Sequence, residues 1–402
     1  MLKRGNFYRE SHAHTGKALL CAITVFFWFA QYVYIPFLTP YLFTLSMTAT
    51  VVGLIVGAYG VTQLVLRIPL GITVDIVRNH KLFILIGTFL AGTSSLGMII
   101  SPSPVLLCIA NGLSGAASST WISFTVLYPA YYEKSEATKA IGTINLFANA
   151  GRFAAFIVGG ILFERIGIRG LFVASFASGI IGCILALFVQ REREAARVNI
   201  SRGGLVRVVK ERRLLFFSIM CALTYLVIFG TVYSFTTSTA KNLGATGLEL
   251  ALFAVLFSAA GMMGSYFVGT RIASKVGEEY VLLLAFLLLG TYCGGVAFSH
   301  SVIPFFPLQV IAGLANGALA SSLMAHAIRY VDEDRKSTAM GFYQSVYCLG
   351  ITLGPVLMGF LVDHAATRAS FIIMALITLA CAGAIRPVYK SNLLDRGEDY
   401  SL

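Results

Sequence analysis

Long apolar runs, each of about 20 residues or more and separated by short polar breaks, set the pattern of this chain. Twenty residues of α-helix rise about 30 Å, the thickness of the hydrocarbon core of a bilayer. The runs therefore predict membrane-crossing helices near residues 17–44, 49–74, 82–101, 104–131, 139–163 and 168–190, then 214–240, 246–270, 280–300, 302–329, 338–362 and 367–388. The expected fold class is an all-α membrane protein with twelve crossings. The longest polar break, Arg191 to Arg213, holds eight basic and three acidic residues. It divides the chain into an N-terminal six-helix bundle (1–190), a basic linker (191–213) and a C-terminal six-helix bundle (214–402).

Composition agrees with that pattern. Of 402 residues 57% are hydrophobic and only 12% charged, with a mean hydropathy of +0.81. A soluble domain carries about twice that charge. The first 17 residues are polar and basic, and the run after them is too long for a signal-peptide core, so the first helix is expected to be retained. All seven cysteines fall inside apolar runs with no CxxC pair, so no disulfide framework, metal site or cofactor is expected.

The net charge of +12 changes meaning once its distribution is read. Of the 30 Lys and Arg residues, 24 lie on the side of the membrane that holds the N-terminus. Four (Arg165, Arg169, Lys241 and Arg368) lie opposite, and Arg67 and Arg152 lie within spans. Basic loops stay cytoplasmic, which predicts a multi-pass protein of the inner (cytoplasmic) membrane with both termini in the cytoplasm. Anionic lipid headgroups account for the basic excess, and nucleic acid need not be invoked. A monomer in the lipid bilayer is expected.

The two halves repeat. Gly142, Gly151, Gly160 and Glu164 match Gly341, Gly350, Gly359 and Asp363, each 199 residues later. Asn111-Gly112-Leu113-Ser114-Gly115 is echoed by Ala312-Gly313-Leu314-Ala315-Asn316-Gly317. Two bundles in the same orientation imply a pseudo-two-fold axis along the membrane normal and a cavity that opens to either side.

The break after the second span reads Gly71-Ile72-Thr73-Val74-Asp75-Ile76-Val77-Arg78-Asn79-His80-Lys81. With this loop and the repeat, the chain resembles the major facilitator superfamily over essentially its whole length. Gly71, Asp75 and Lys81 fit the family's pattern there, while Ile76, Arg78 and His80 depart from it. The resemblance implies a gating role for this loop, with Gly71 permitting close helix approach and Asp75, Arg78 and Lys81 forming contacts that break and reform. Arg67, nearer the cytoplasmic end of its helix, joins this gating set, with a purely structural arginine as the alternative. Gly151-Arg152-Phe153-Ala154-Ala155-Phe156-Ile157-Val158-Gly159-Gly160 keeps the glycine frame of the family's antiporters without its proline, which leans toward efflux. An uptake permease or facilitator for an organic anion or metabolite is the alternative.

Candidate chemistry is read most clearly from charge inside the spans, where an ionised side chain costs at least about 2.5 kcal/mol. Arg152 lies about one residue from the centre of its span, and no span core holds an Asp or Glu to neutralise it. It is expected to face the cavity and bind an acidic group of the substrate. Gln31, Tyr32, Trp121, Asn149, Tyr225, Asn316, Tyr343 and Gln344 complete the candidate substrate site, although packing is the alternative for each alone. His326 reads as a solvated histidine near a helix end, with a proton carrier as the alternative. Protons remain open as the coupling ion, since no span core holds a carboxylate. An enzyme is not expected, because no HExxH, GxSxG or phosphate-binding glycine loop is present. A channel fits the duplicated halves less well than a small-molecule carrier does.

Overall fold

A computed structural model of the chain describes residues 2–77, 79–100, 102–133, 136–189, 211–267, 277–329, 331 and 336–390. Arg78 and nearly all of the basic linker lie outside these residues. Among the described residues every regular element is helical. In chain order they are α1 (Leu2–Tyr32), α2 (Ile35–Thr44), α3 (Ala49–Val77), α4 (His80–Ile100), α5 (Pro104–Ser119), α6 (Trp121–Leu127) and α7 (Ala137–Leu187). After the linker come α8 (Arg212–Gly230), a π-helical turn (Thr231–Phe235), α9 (Thr236–Asn242), α10 (Gly247–Phe267), α11 (Glu278–Ala297), α12 (Phe305–Ile328) and α13 (Lys336–Lys390).

Among the described residues ten helical stretches are long and apolar enough to cross a membrane, and two of them, Lys139–Leu187 and Ala339–Tyr389, run to 49 and 51 residues. Each of these two doubles back on itself. Before Gly167, α7 runs alongside α1 in the same direction, with Gly151 on Val25 and Gly159 on Val33. After it the order inverts: Ser175 and Ser178 donate to the carbonyls of Ala30 and Phe26 at 2.7 and 2.8 Å. The same happens in α13. Gly350 and Gly354 meet Ala222 and Leu226 of α8 in rising order, whereas beyond Ala366 the chain passes Gly290 at Thr378 and reaches Glu279 at Arg386, 3.6 Å away.

The reversals sit at Gly167 (φ 63°, ψ −175°) and Ala366 (φ 64°, ψ 156°). Both backbones occupy a region that only glycine enters without strain. The two positions are 199 residues apart, the register of the sequence repeat. The first helix of each half is interrupted in the same register. Helical geometry lapses at Val33 and Tyr34, and a π turn spans Val232 and Tyr233. The glycine matches are equally concrete, since Gly151 and Gly350 each lie where a Cβ would strike a carbonyl of the first helix of their own half.

The chain forms two compact units, residues 1–38 with 58–198 and residues 39–57 with 199–402. The core of the first is built from Leu20, Phe27, Trp28, Ile84, Phe124, Tyr128 and Ile144. The second buries Phe217, Phe253, Phe257, Leu282, Phe286, Tyr292 and Leu319. It also takes in the start of α3, which packs on α13 through Gly53, Gly57 and Gly359. There the Asp363 carboxylate accepts from the amides of Ala49 (2.9 Å) and Thr50 (2.7 Å) and from the Thr50 hydroxyl (2.6 Å). These are free amides of a helix N-terminus, where an anion is favoured. Large apolar side chains such as Val65, Ile157, Leu284 and Leu353 point outward, as a lipid-facing surface requires.

Candidate functional site

The first unit carries a cation held in an aromatic cradle. Arg152 lies on α7 one residue after Gly151, whose missing side chain lets α7 close on the α1 backbone at Val25. That approach sets the guanidinium over the face of Trp28, 3.9 Å from the ring centroid, and 5.1 Å from that of Tyr32. One turn back, Asn149 Oδ1 accepts from Arg152 Nη1 at 3.3 Å. The Nε atom is buried and has no hydrogen-bond partner among the described residues. No carboxylate pairs with Arg152 among them either. A desolvated cation over an aromatic face gains about 2 kcal/mol, comparable to the minimum cost of placing the charge in a span. The charge is therefore tolerated rather than neutralised.

The cradle is itself braced. Trp28 stands edge-on to Trp121 at 5.2 Å and tilted to Tyr32 at 5.6 Å, and Tyr32 meets Phe156 at 5.8 Å. Trp121 begins α6, just after the break at Thr120, and stacks on Phe124 at 5.3 Å. Trp28 and Trp121 are the only tryptophans in the chain. The indole N–H of Trp28 is also buried without a partner among the described residues. Gln31, by contrast, is fully occupied within the bundle. Its amide donates to Ser114 O at 3.0 Å and to Ser118 Oγ at 3.2 Å, and its carbonyl accepts from the Ser114 hydroxyl. It clamps α1 to α5, with Tyr59 joining at Ser118 over 2.8 Å.

A cavity of about 640 Å³ runs beside α1, lined by Lys17, Cys21, Val25, Tyr128, Tyr132 and Phe147 among others. Val25, the residue against which Gly151 packs, is part of its wall. The Lys17 ammonium sits 3.7 Å over the Tyr132 ring, and the Tyr128 and Tyr132 hydroxyls are 3.0 Å apart.

The second unit holds the remaining sequence candidates. Tyr225 and Tyr343 lie 4.9 and 6.1 Å from the ring of Tyr347, and Tyr343 is buried while Gln344 is half-buried. Asn316 has a buried Oδ1 without a partner among the described residues. Of the sequence candidates the structure brings Arg152, Tyr32, Asn149 and Trp121 together around Trp28, and sets Tyr225 and Tyr343 beside Tyr347. Trp28 was detectable: it precedes Tyr32 by four residues, one turn along the same helical face.

Among the described residues a Cβ on Gly71 would meet only Ile122, at an ordinary 3.8 Å. α3 instead meets α5 at Gly115, where a Cβ would run into Tyr59 O and the Thr62 hydroxyl. Lys81 donates to the carbonyl of Leu187 at 2.5 Å, satisfying a free carbonyl at the end of α7. Arg67 is half-buried, Arg78 lies outside the described residues, and only the backbone of Asp75 is described.

One reading needs correction. His326 is not solvated but 4% exposed, because the face of α12 that bears it turns inward against α8, α11 and the end of α13.

A family model described as Major Facilitator Superfamily matches residues 20–306 and 218–394. The inner membrane transport protein YajR of Escherichia coli is 22% identical over 381 residues, which covers 90% of this chain and 82% of that protein. The multi-drug resistance efflux pump PmrA homolog of Lactococcus lactis is 23% identical, over 68% of this chain and 73% of that one. Among solved structures the nucleoside transporter NupG superposes with a TM-score of 0.77 at 14% identity, covering 94% of this chain and 99% of its own.

Proposed function

The chain belongs to the major facilitator superfamily, and from that premise we propose that it exports a small molecule carrying an anionic group, with Arg152 as the counter-charge. The carrying observation is the Arg152 guanidinium lying 3.9 Å over Trp28, with a buried Nε that no described residue engages. The substrate is an organic anion or zwitterion, and Trp28, Tyr32 and Trp121 favour one with an aromatic ring. Tyr225, Asn316, Tyr343 and Gln344 form a second candidate set in the other unit. The chain works by alternating access through twelve crossings, counted with the reversals at Gly167 and Ala366, and both termini face the cytoplasm. The α3–α4 segment, with Arg67, Gly71, Asp75, Arg78 and Lys81, acts as the gate. The likeness to an efflux pump and the glycine frame around Arg152 support export.

Transport in proteoliposomes tests this reading. Salicylate and benzoate should exchange across the membrane faster than in empty vesicles, tetraphenylphosphonium should not, and Arg152→Ala should abolish the difference. Movement of the cation with no movement of either carboxylate refutes an anion site. Accumulation driven only inward would replace export with uptake.

A further inference from the structure

At the end of the second unit that holds Arg213, Phe217 of α8, Glu278 of α11 and Tyr389 of α13 converge on the ring of His326. Its Nδ1 lies 2.7 Å from the Ser322 carbonyl, which only accepts, so Nδ1 carries a proton. Its Nε2 has two neighbours of opposite demand. The Tyr389 hydroxyl is 2.7 Å away and Glu278 Oε2 is 3.0 Å away. A neutral ring accepts from Tyr389 at Nε2 and has nothing to offer the carboxylate. A ring protonated at Nε2 donates to Glu278 and no longer accepts from Tyr389. The geometry holds both partners within hydrogen-bond range of one nitrogen.

We propose that His326 and Glu278 form a proton-binding site, in which proton uptake at Nε2 switches the imidazole from Tyr389 on α13 to Glu278 on α11. The charges around it make the site depend on that one carboxylate. Arg213 of α8 donates to the His326 carbonyl at 3.1 Å, and Arg329 grips Glu278 at 2.7 and 3.0 Å. Arg386 of α13 lies 3.6 Å from Glu279. Arg213 and Arg329 oppose a further positive charge on the ring, and Glu278 is the acid in contact with it. The ring is buried, but the Glu278 side chain is 40% exposed, so a proton reaches Nε2 from solvent along the carboxylate. Because each partner sits on a different helix, loading the proton alters which helix end α12 holds. That coupling provides a place for the proton of a gradient-driven cycle; this last step rests on the transporter reading, whereas proton binding itself does not.

Ring-nitrogen NMR on full-length protein labelled with ¹⁵N-histidine in nanodiscs separates the two. One histidine should titrate between pH 4 and 9 while keeping its Nδ1 proton in both states, and His326→Gln should remove that signal. Glu278→Gln withdraws the partner of the charged ring and Tyr389→Phe that of the neutral ring, so their midpoints should move in opposite directions. A His326 signal that stays constant across the range, or midpoints indifferent to both substitutions, overturns the proposal. In proteoliposomes, His326→Gln should lose at least ten-fold of any salicylate flux driven by a pH gradient and keep gradient-free exchange. Undiminished gradient-driven flux removes the site from the transport cycle, and absence of salicylate transport in the parent chain refutes the substrate reading while leaving the titration to decide the proton site.

Discussion

Two basic side chains on helices, half-buried Arg152 and buried His326, sit one in each unit, and they are held in opposite ways. Arg152 rests on aromatic faces with one amide partner and no acid, while His326 is ringed by a carboxylate, a phenol and a backbone carbonyl. Within a lipid-embedded bundle both are costly, so each arrangement records what the group is for. A cation left short of partners is ready to take a ligand, whereas one with every position filled does its work within the protein.

The contrast breaks most sharply at Arg152 itself. Arg152→Ala should weaken binding of an aromatic carboxylate by about 1.5–3 kcal/mol, the worth of a hydrogen bond to a charged group, with little loss of thermal stability. Arg152→Lys should recover only part of it, since an ammonium neither stacks nor forks. Trp28→Leu comes next, removing the face beneath Arg152 and with it about 1–2 kcal/mol of cation–π attraction, seen as weaker carboxylate binding. Glu278→Ala should do the reverse. It strips the carboxylate from Arg329 and His326, an ion-pair cluster whose Glu278 and Arg329 side chains are well exposed, so it should cost at most about 1 kcal/mol of stability and leave ligand affinity unchanged; thermal unfolding in detergent reads it.

The smallest effects sharpen the comparison of the two halves as repeats. Ala366→Gly relaxes a backbone that Gly167 already relieves in the first half, and should stabilise by about 1 kcal/mol. At Gly142 and Gly341 a Cβ meets nothing within 4 Å among the described residues. Replacing either with Ala should therefore be neutral or mildly stabilising, by less than about 1 kcal/mol.

How much of this was legible beforehand follows from what a linear pattern encodes. The crossing helices were readable because apolar length is a one-dimensional property, and the reversals at Gly167 and Ala366 fall between spans the pattern had separated. Arg152 stood out by its depth in a run without acids. A glycine shows that close approach is allowed, not that a neighbour is near, and among the described residues the close contact between α3 and α5 is at Gly115. His326 was misjudged for a related reason. Its position along α12 was plain, but the face it occupies and its meeting with Glu278 and Tyr389 are set by packing among helices distant in sequence.

Intrinsic fluorescence gives the most direct test of the anion site, since both tryptophans of the chain belong to the Arg152 cradle. Titrating the purified protein with salicylate should give saturable quenching that weakens at least ten-fold in Arg152→Ala and is not reproduced by tetraphenylphosphonium. Equal quenching of both proteins, or saturable quenching by the cation alone, would contradict an anion held at Arg152.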